Sequence, residues 1–384
     1  MTVISPRDVS STRRPPVFGI LSTYPPTACG LATFSAALST AVVALGGAAR
    51  VVRIADGSVS TLPGVVGELE NGSPSSMSAA ARLLNEGDVA IIQHEYGIYG
   101  GSDGDEVLAV LGHLQVPAIV VAHTVLMHPT SHQRTVLERA AAIASQVVVM
   151  SNAARTRLCQ VFDVDPQKVV TIPHGAATPG VVAPPAGRPT LLTWGLLGPG
   201  KGIERVIDAM VPLEHLQARP RYVVAGQTHP KVLALDGEAY RNARIEQAWR
   251  RGVAASVSVD ASYRTVASLT SLVQSAAVVV LPYDSTDQVT SGVLVDAIAA
   301  GRPVVATAFP HAVELLKSGA GTVVEHDDQE ALVSALARIL NEPMIADAMA
   351  TEARRLAPTM SWSVVADAYL VLADRLIAER LALV

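Results

Sequence analysis

Apolar residues in this chain gather into short dense runs, and each run is followed by a longer stretch in which they return every three or four positions. The first pattern suits a strand covered on both faces and the second an amphipathic helix, so their alternation predicts parallel α/β layering. Strands are expected at Val17–Ser22, Arg50–Ile54, Val89–Gln93, Ala118–Ala122, Val147–Met150 and Val169–Ile172. A second series follows at Thr190–Trp194, Tyr222–Ala225, Ser256–Val259, Ala277–Leu281, Pro303–Ala306 and Gly321–Val324. Between them Pro179, Gly180, Pro184, Pro185, Gly187 and Pro189 interrupt any regular element. Proline and glycine at that density mark a linker.

The chain therefore divides into a flexible arm (1–16), a first Rossmann-like domain (17–182), a linker (183–189), a second Rossmann-like domain (190–360) and a closing helix (361–384). Residues 56–76, rich in Gly, Ser and Pro, read as a surface loop. A length of 384 residues is too great for one ordinary core, and 49% apolar content with 4% aromatics points to cores of Val, Leu, Ile and Ala. The net charge of −5 and the lack of a basic run argue against a nucleic-acid groove. Over residues 1–182, 11 Lys and Arg stand against 13 Asp and Glu, which gives membrane association no support. Cys29 and Cys159 have no metal-ligand spacing, and no signal peptide or spanning segment is visible, so a reducing cytoplasm is the expected setting.

Two segments of the second domain carry anion chemistry. Thr290, Ser291 and Gly292 open a helix whose first-turn N–H groups lack intrahelical acceptors, and such an opening attracts negative charge. Earlier, the expected strand at Thr190–Trp194 runs into Gly195-Leu196-Leu197-Gly198-Pro199-Gly200-Lys201-Gly202. Here glycines open the backbone to a phosphate and Lys201 adds a point charge. Gly195, Gly200 and Lys201 also match the G-x4-G-K of a P-loop, but Gly202 stands where that motif needs a hydroxyl for magnesium.

Gln288 and Asp296, separated by seven residues around that helix start, together with the Lys201 loop, resemble glycosyltransferase family 4, the large retaining GT-B group. The likeness spans nearly the whole chain from Val17. The family pattern has glutamate at both flanking positions and an arginine where Leu196 stands, so this sequence resembles a variant branch. The resemblance implies two Rossmann-like domains facing across a cleft, with the last helix, carrying Trp362, crossing back to the first domain. It also implies a nucleotide-sugar donor, with GDP-mannose favoured and UDP-glucose as the alternative, and a carbohydrate or glycoside hydroxyl as acceptor. Lys201 and the amides of Ser291, Gly292 and Val293 would stabilise the departing diphosphate. Asp296 would hold the ribose, Gln288 a donor hydroxyl, and Gln227 and His229 would lie near the base and ribose. Catalysis by same-face attack, without a metal, is what the family implies.

The first domain offers further candidates at expected strand ends. Gly30 lies in the turn from the first strand to its helix, where the family closes a loop over the donor phosphates. His123 ends the Ala118–Ala122 strand at the position of a family histidine that reaches the donor sugar. His94, Glu95 and Tyr96 would line an acceptor or sugar pocket, since open α/β sheets bind ligands beyond the carboxyl ends of their strands. Two Asp-x-Asp pairs, Asp103/Asp105 and Asp163/Asp165, are not adjacent in sequence to the phosphate candidates, so no metal site is expected. A silent nucleotide-sugar-binding protein and a sugar-nucleotide epimerase are the alternatives to a transferase.

Overall fold

The structure, a computed structural model, describes residues 14–178, 187–262 and 264–382. Most of the expected arm, and residues 183–186 of the expected linker, lie outside the described residues. The chain forms two compact units, one reaching to Gly175 and taking in the segment from Trp362 onward, the other being Ala176–Ser361.

The first unit is a sheet of β1 (Val17–Ser22), β2 (Ala48–Ile54), β3 (Val65–Leu69), β4 (Val89–His94), β5 (Ala118–Ala122), β6 (Gln146–Val149) and β7 (Val169–Thr171), ordered 3-2-1-4-5-6-7. The second is built from β8 (Thr190–Trp194), β9 (Arg221–Ala225), β10 (Val257–Asp260), β11 (Val278–Leu281), β12 (Val304–Thr307) and β13 (Gly321–Val324), ordered 10-9-8-11-12-13. Every pairing in both sheets is parallel. The strand order reverses between β1 and β4 in one unit and between β8 and β11 in the other. At such switch points the loops leaving the two strands part in opposite directions, and a ligand finds room beyond the carboxyl ends.

Residues 56–76 correct the sequence reading. They are no single loop, because β3 pairs with β2 and the Pro74–Leu84 helix begins within them. Val65-Val66-Gly67-Glu68-Leu69 is too short and too glycine-interrupted to announce a strand, yet a Cβ at Gly67 would lie 2.5 Å from Leu83 Cδ1. The glycine that hides the strand is thus where the Leu83 side chain of the helix lies over it. In the same unit Val365, Tyr369, Leu370 and Ala373 of the Trp362–Ala382 helix pack with Phe18, Phe34, Leu38 and Val42. Burial of side chains such as Val365 and Leu370 contributes about 1.5–3 kcal/mol each. Gly175 serves that packing, since a Cβ there would stand 2.3 Å from the Trp362 ring.

Candidate functional site

In the second unit the loops leaving β8 and β11 meet at the switch point. The β8 loop bends through Gly195 at φ 126° and Gly200 at φ 88°, conformations that favour glycine. It is zipped to the loop after β9, because Leu197 N donates to Gln227 O at 2.8 Å and His229 N to Leu197 O at 2.8 Å. On the other side Asp284 N donates to Gly200 O at 3.0 Å, which ties the β11 loop in place. A cavity of about 400 Å³ lies between them, lined by Gly200, Lys201, Tyr283, Asp284, Ser285 and Gln288 among others. The Gly292–Ala299 helix begins beside it, with Val293 the neighbour nearest to a Cβ placed at Gly195.

Lys201 is the free cation of this site. Its Nζ stands 4.5 Å from the centroid of the Tyr283 ring, and no carboxylate among the described residues forms an ion pair with it. Arg205, by contrast, is neutralised by Asp284 and donates to Pro282 O. Burial lowers the Lys201 pKa, because an ammonium without water or a counter-charge is costly. An incoming diphosphate would supply that counter-charge.

The helix start is less bare than the sequence suggests. Ser291 caps it by accepting from Leu294 N at 3.2 Å, and its own N–H donates to His311 Nδ1 at 2.9 Å. The expected set of three bare amides therefore shrinks to those of Gly292 and Val293. His311 is buried, and burial holds its pKa at about 4, so the ring stays neutral and keeps that lone pair. Gln288 turns back on its own loop, donating to Thr290 O at 3.0 Å, while still lining the cavity.

The Asp296 carboxyl, on the second turn of the helix, has no hydrogen-bond or ion-pair partner among the described residues, and desolvation alone raises its pKa to about 7. The side chain keeps some exposure, so solvent moderates that penalty without reversing it. Gln227 is exposed at the loop tip. His229 caps the next helix by accepting from Lys231 N at 3.2 Å. Its pKa is lowered by burial first and then by the ammonium groups of Lys231 and Lys201.

The first unit gathers its candidates at the carboxyl ends of β1, β4 and β5. His123 Nε2 and Gln93 Oε1 lie 2.6 Å apart, and the His123 ring meets Phe34 edge-on at 5.0 Å. Burial, then the nearby rings of His174 and His94, lower the His123 pKa to about 3, which keeps it neutral. Gly30 opens its helix with nothing within 4 Å of where a Cβ would stand, so space remains before that turn. His94 is 1% exposed and packs edge-on against Tyr96 at 5.0 Å, so it is more enclosed than a pocket-lining residue at a strand end is expected to be. Glu95 accepts from the Thr124 hydroxyl and the Tyr96 amide, contacts that brace the loop. Tyr96 donates to Gln133 O at 3.3 Å. Asp103 and Asp105 both face His132, at 3.0 and 3.4 Å.

Sequence reasoning missed Tyr283, His311 and Arg241. Arg241 is buried under the β9 loop, where it donates to Gly226 O at 2.7 Å and pairs with Glu238. None of the three lies in a motif, because each makes a contact to a residue remote in sequence: Lys201, Ser291 and Gly226 respectively. Among the described residues no cluster of three or more His, Cys, Asp or Glu could hold a metal, and no helix is long and apolar enough to cross a membrane.

Comparison with known proteins bears on the family and the fold. Residues 178–356 match the family model for glycosyl transferases group 1, and residues 35–178 that for glycosyltransferase family 4. Among solved GT-B structures, a glycosyltransferase from Rickettsia africae ESF-5 aligns with a TM-score of 0.73 at 15% identity, over 94% of this chain and 98% of that one. Sucrose-phosphate synthase from Thermosynechococcus elongatus gives 0.74 at 17%, over 94% and 99%. Anabaena HepE in complex with UDP gives 0.71 at 17%, over 96% and 100%. At these identities the likeness is one of fold. No curated protein sequence matches the chain.

Proposed function

The chain belongs to the group 1 glycosyltransferases of family 4, with the GT-B fold, and from that membership we infer that it moves a hexose from a nucleoside diphosphate to a hydroxyl acceptor with retention of configuration. The observation that carries this reading is the unpaired, desolvated Lys201 ammonium in a cavity beside the start of the Gly292–Ala299 helix. In this reading the diphosphate lies against Lys201 and the amides of Gly292 and Val293. Charge that develops on it as the bond from the anomeric carbon to phosphate oxygen breaks is stabilised there. The acceptor oxygen bonds to the same face of that carbon, and its proton passes to the departing diphosphate. Asp296 takes the ribose hydroxyls and Gln288 a sugar hydroxyl. In the first unit His123, held neutral, is the candidate for a further sugar or acceptor hydroxyl.

A structure of Anabaena HepE in complex with UDP-glucose makes UDP-glucose the first donor to test, and nothing in the site favours GDP-mannose over it. The test is a thermal-shift screen of UDP-, GDP- and ADP-hexoses followed by transfer assays with the donor that binds. One donor should raise the unfolding midpoint selectively, and nucleoside diphosphate should be released only when a hydroxyl acceptor is present. Tight donor binding without transfer to any acceptor would instead identify a silent binding protein.

Asp296 links binding to stability. Its folded-state pKa of about 7 exceeds the ordinary 3.8, so between these values the native state holds a proton that the unfolded chain has released. Stability therefore falls as pH rises through that window and stays reduced above it. Asp296→Asn removes the titration. We expect the variant to unfold at a higher temperature than the wild type at pH 8, to lose that advantage at pH 4, and to bind donor about tenfold more weakly. Calorimetry at the two pH values checks both parts.

A further inference from the structure

An isolated lysine on a glycine-rich loop should sample many rotamers, yet Lys201 is held over one aromatic face. Tyr283 follows β11, is 2% exposed, and stacks on Phe309 with ring centroids 5.4 Å apart. Its backbone is pinned by Thr307, whose hydroxyl donates to Tyr283 O at 2.6 Å. The phenol oxygen is buried beside the Ser291 side chain, with no hydrogen-bond partner of ordinary geometry among the described residues. What the residue presents to the cavity is the ring, with Lys201 Nζ 4.5 Å from its centroid. No carboxylate shares that role, since Asp284 is taken by Arg205.

We propose that Tyr283 is a positioning residue for Lys201: its rigid π-face, clamped by Phe309 and Thr307, holds the ammonium in the cavity without the counter-charge that would compete with an incoming diphosphate. This rests on the donor-site reading above. A carboxylate in the same place would position the lysine equally well and repel the leaving group. An aromatic face attracts the cation through its quadrupole and carries no net charge. The ring is also preorganised, since none of its own contacts must change when the anion arrives.

Tyr283→Phe keeps the ring, Tyr283→Met keeps bulk but removes the π-face, and each is compared with Lys201→Ala and with the double variant Tyr283→Met/Lys201→Ala. Turnover and donor KM are measured, with thermal unfolding to confirm the fold. Tyr283→Met should lower turnover between about threefold and thirtyfold. Tyr283→Phe should recover to within about twofold of the wild type and unfold no earlier, because it removes an unpaired buried hydroxyl. The double variant should be no slower than Lys201→Ala alone, as residues acting through one another are not additive. Equal loss from Tyr283→Met with and without Lys201, or a Phe variant as impaired as Met, overturns the proposal. If the Met variant does not fold, fluorinated phenylalanines at position 283 weaken the π-face at nearly constant shape, and unchanged turnover across that series has the same force. A wild type that neither binds UDP or GDP nor transfers sugar would refute the donor-site reading separately. The pH dependence of Lys201 acylation, followed by peptide mass spectrometry, then decides the proposal. Its midpoint should move by about half a pH unit or more in Tyr283→Met and stay in place in Tyr283→Phe, whereas coincidence of all three curves overturns it.

Discussion

Lys201→Ala is expected to lower the turnover of glycosyl transfer by about 10²-fold or more, with a smaller change in donor KM. The asymmetry follows from when the charge is needed. A nucleotide sugar already carries its diphosphate in the ground state, so part of the lysine's attraction is spent on binding. The charge that grows on the departing oxygen exists only in the transition state, and interactions confined to that state raise the rate. Two features make Lys201 carry more than a usual share. Leu196 offers no second cation on the loop, and Arg205 is neutralised by Asp284. The Ser291 amide, moreover, is committed to His311. Steady-state kinetics with the donor found by screening, and folded protein confirmed by circular dichroism, give the answer. Unchanged turnover would remove Lys201 from the mechanism.

That site was legible in the sequence to the extent that its parts are local. Glycines around Lys201 and the Thr290-Ser291-Gly292 start are written within a few residues, and a capped helix beginning after an apolar run needs no distant partner to be recognised. Strand positions were legible for a related reason, since burial on both faces leaves dense runs such as Ala118–Ala122. The edge strand β3 escaped because only one neighbour covers it and Gly67 breaks its pattern. The burial of His94 was not legible because a strand-end position does not say which face of the sheet leads to solvent. Tyr283 and His311 were invisible for a deeper reason. Their value lies in one contact each, to Lys201 and to the Ser291 amide, and both contacts are made by folding rather than by spacing.

Gly202→Ser is expected to destabilise the second unit by about 2–5 kcal/mol and to abolish diphosphate binding, although it completes the sequence G-x4-G-K-S. Gly202 sits at φ 64°, in the left-handed region, and a Cβ there would lie 1.7 Å from the carbonyl oxygen of Pro282. Both the torsion and the overlap must then be relieved by moving backbone. The Pro282 carbonyl cannot easily retreat, since Arg205 Nη1 holds it at 3.1 Å and Tyr283 follows directly in the chain. Any displacement would carry Lys201 and the ring beneath it apart. A P-loop nucleotide hydrolase would behave in the opposite way, because a hydroxyl at this position would improve its magnesium site. Urea unfolding together with UDP and GDP binding therefore separates two chemistries that look alike in sequence. A stable Gly202→Ser variant that gained magnesium-dependent phosphate release would overturn the glycosyltransferase reading of this loop. A destabilised variant without nucleotide binding would show that the glycine is fixed by the approach of two chain segments behind the phosphate site.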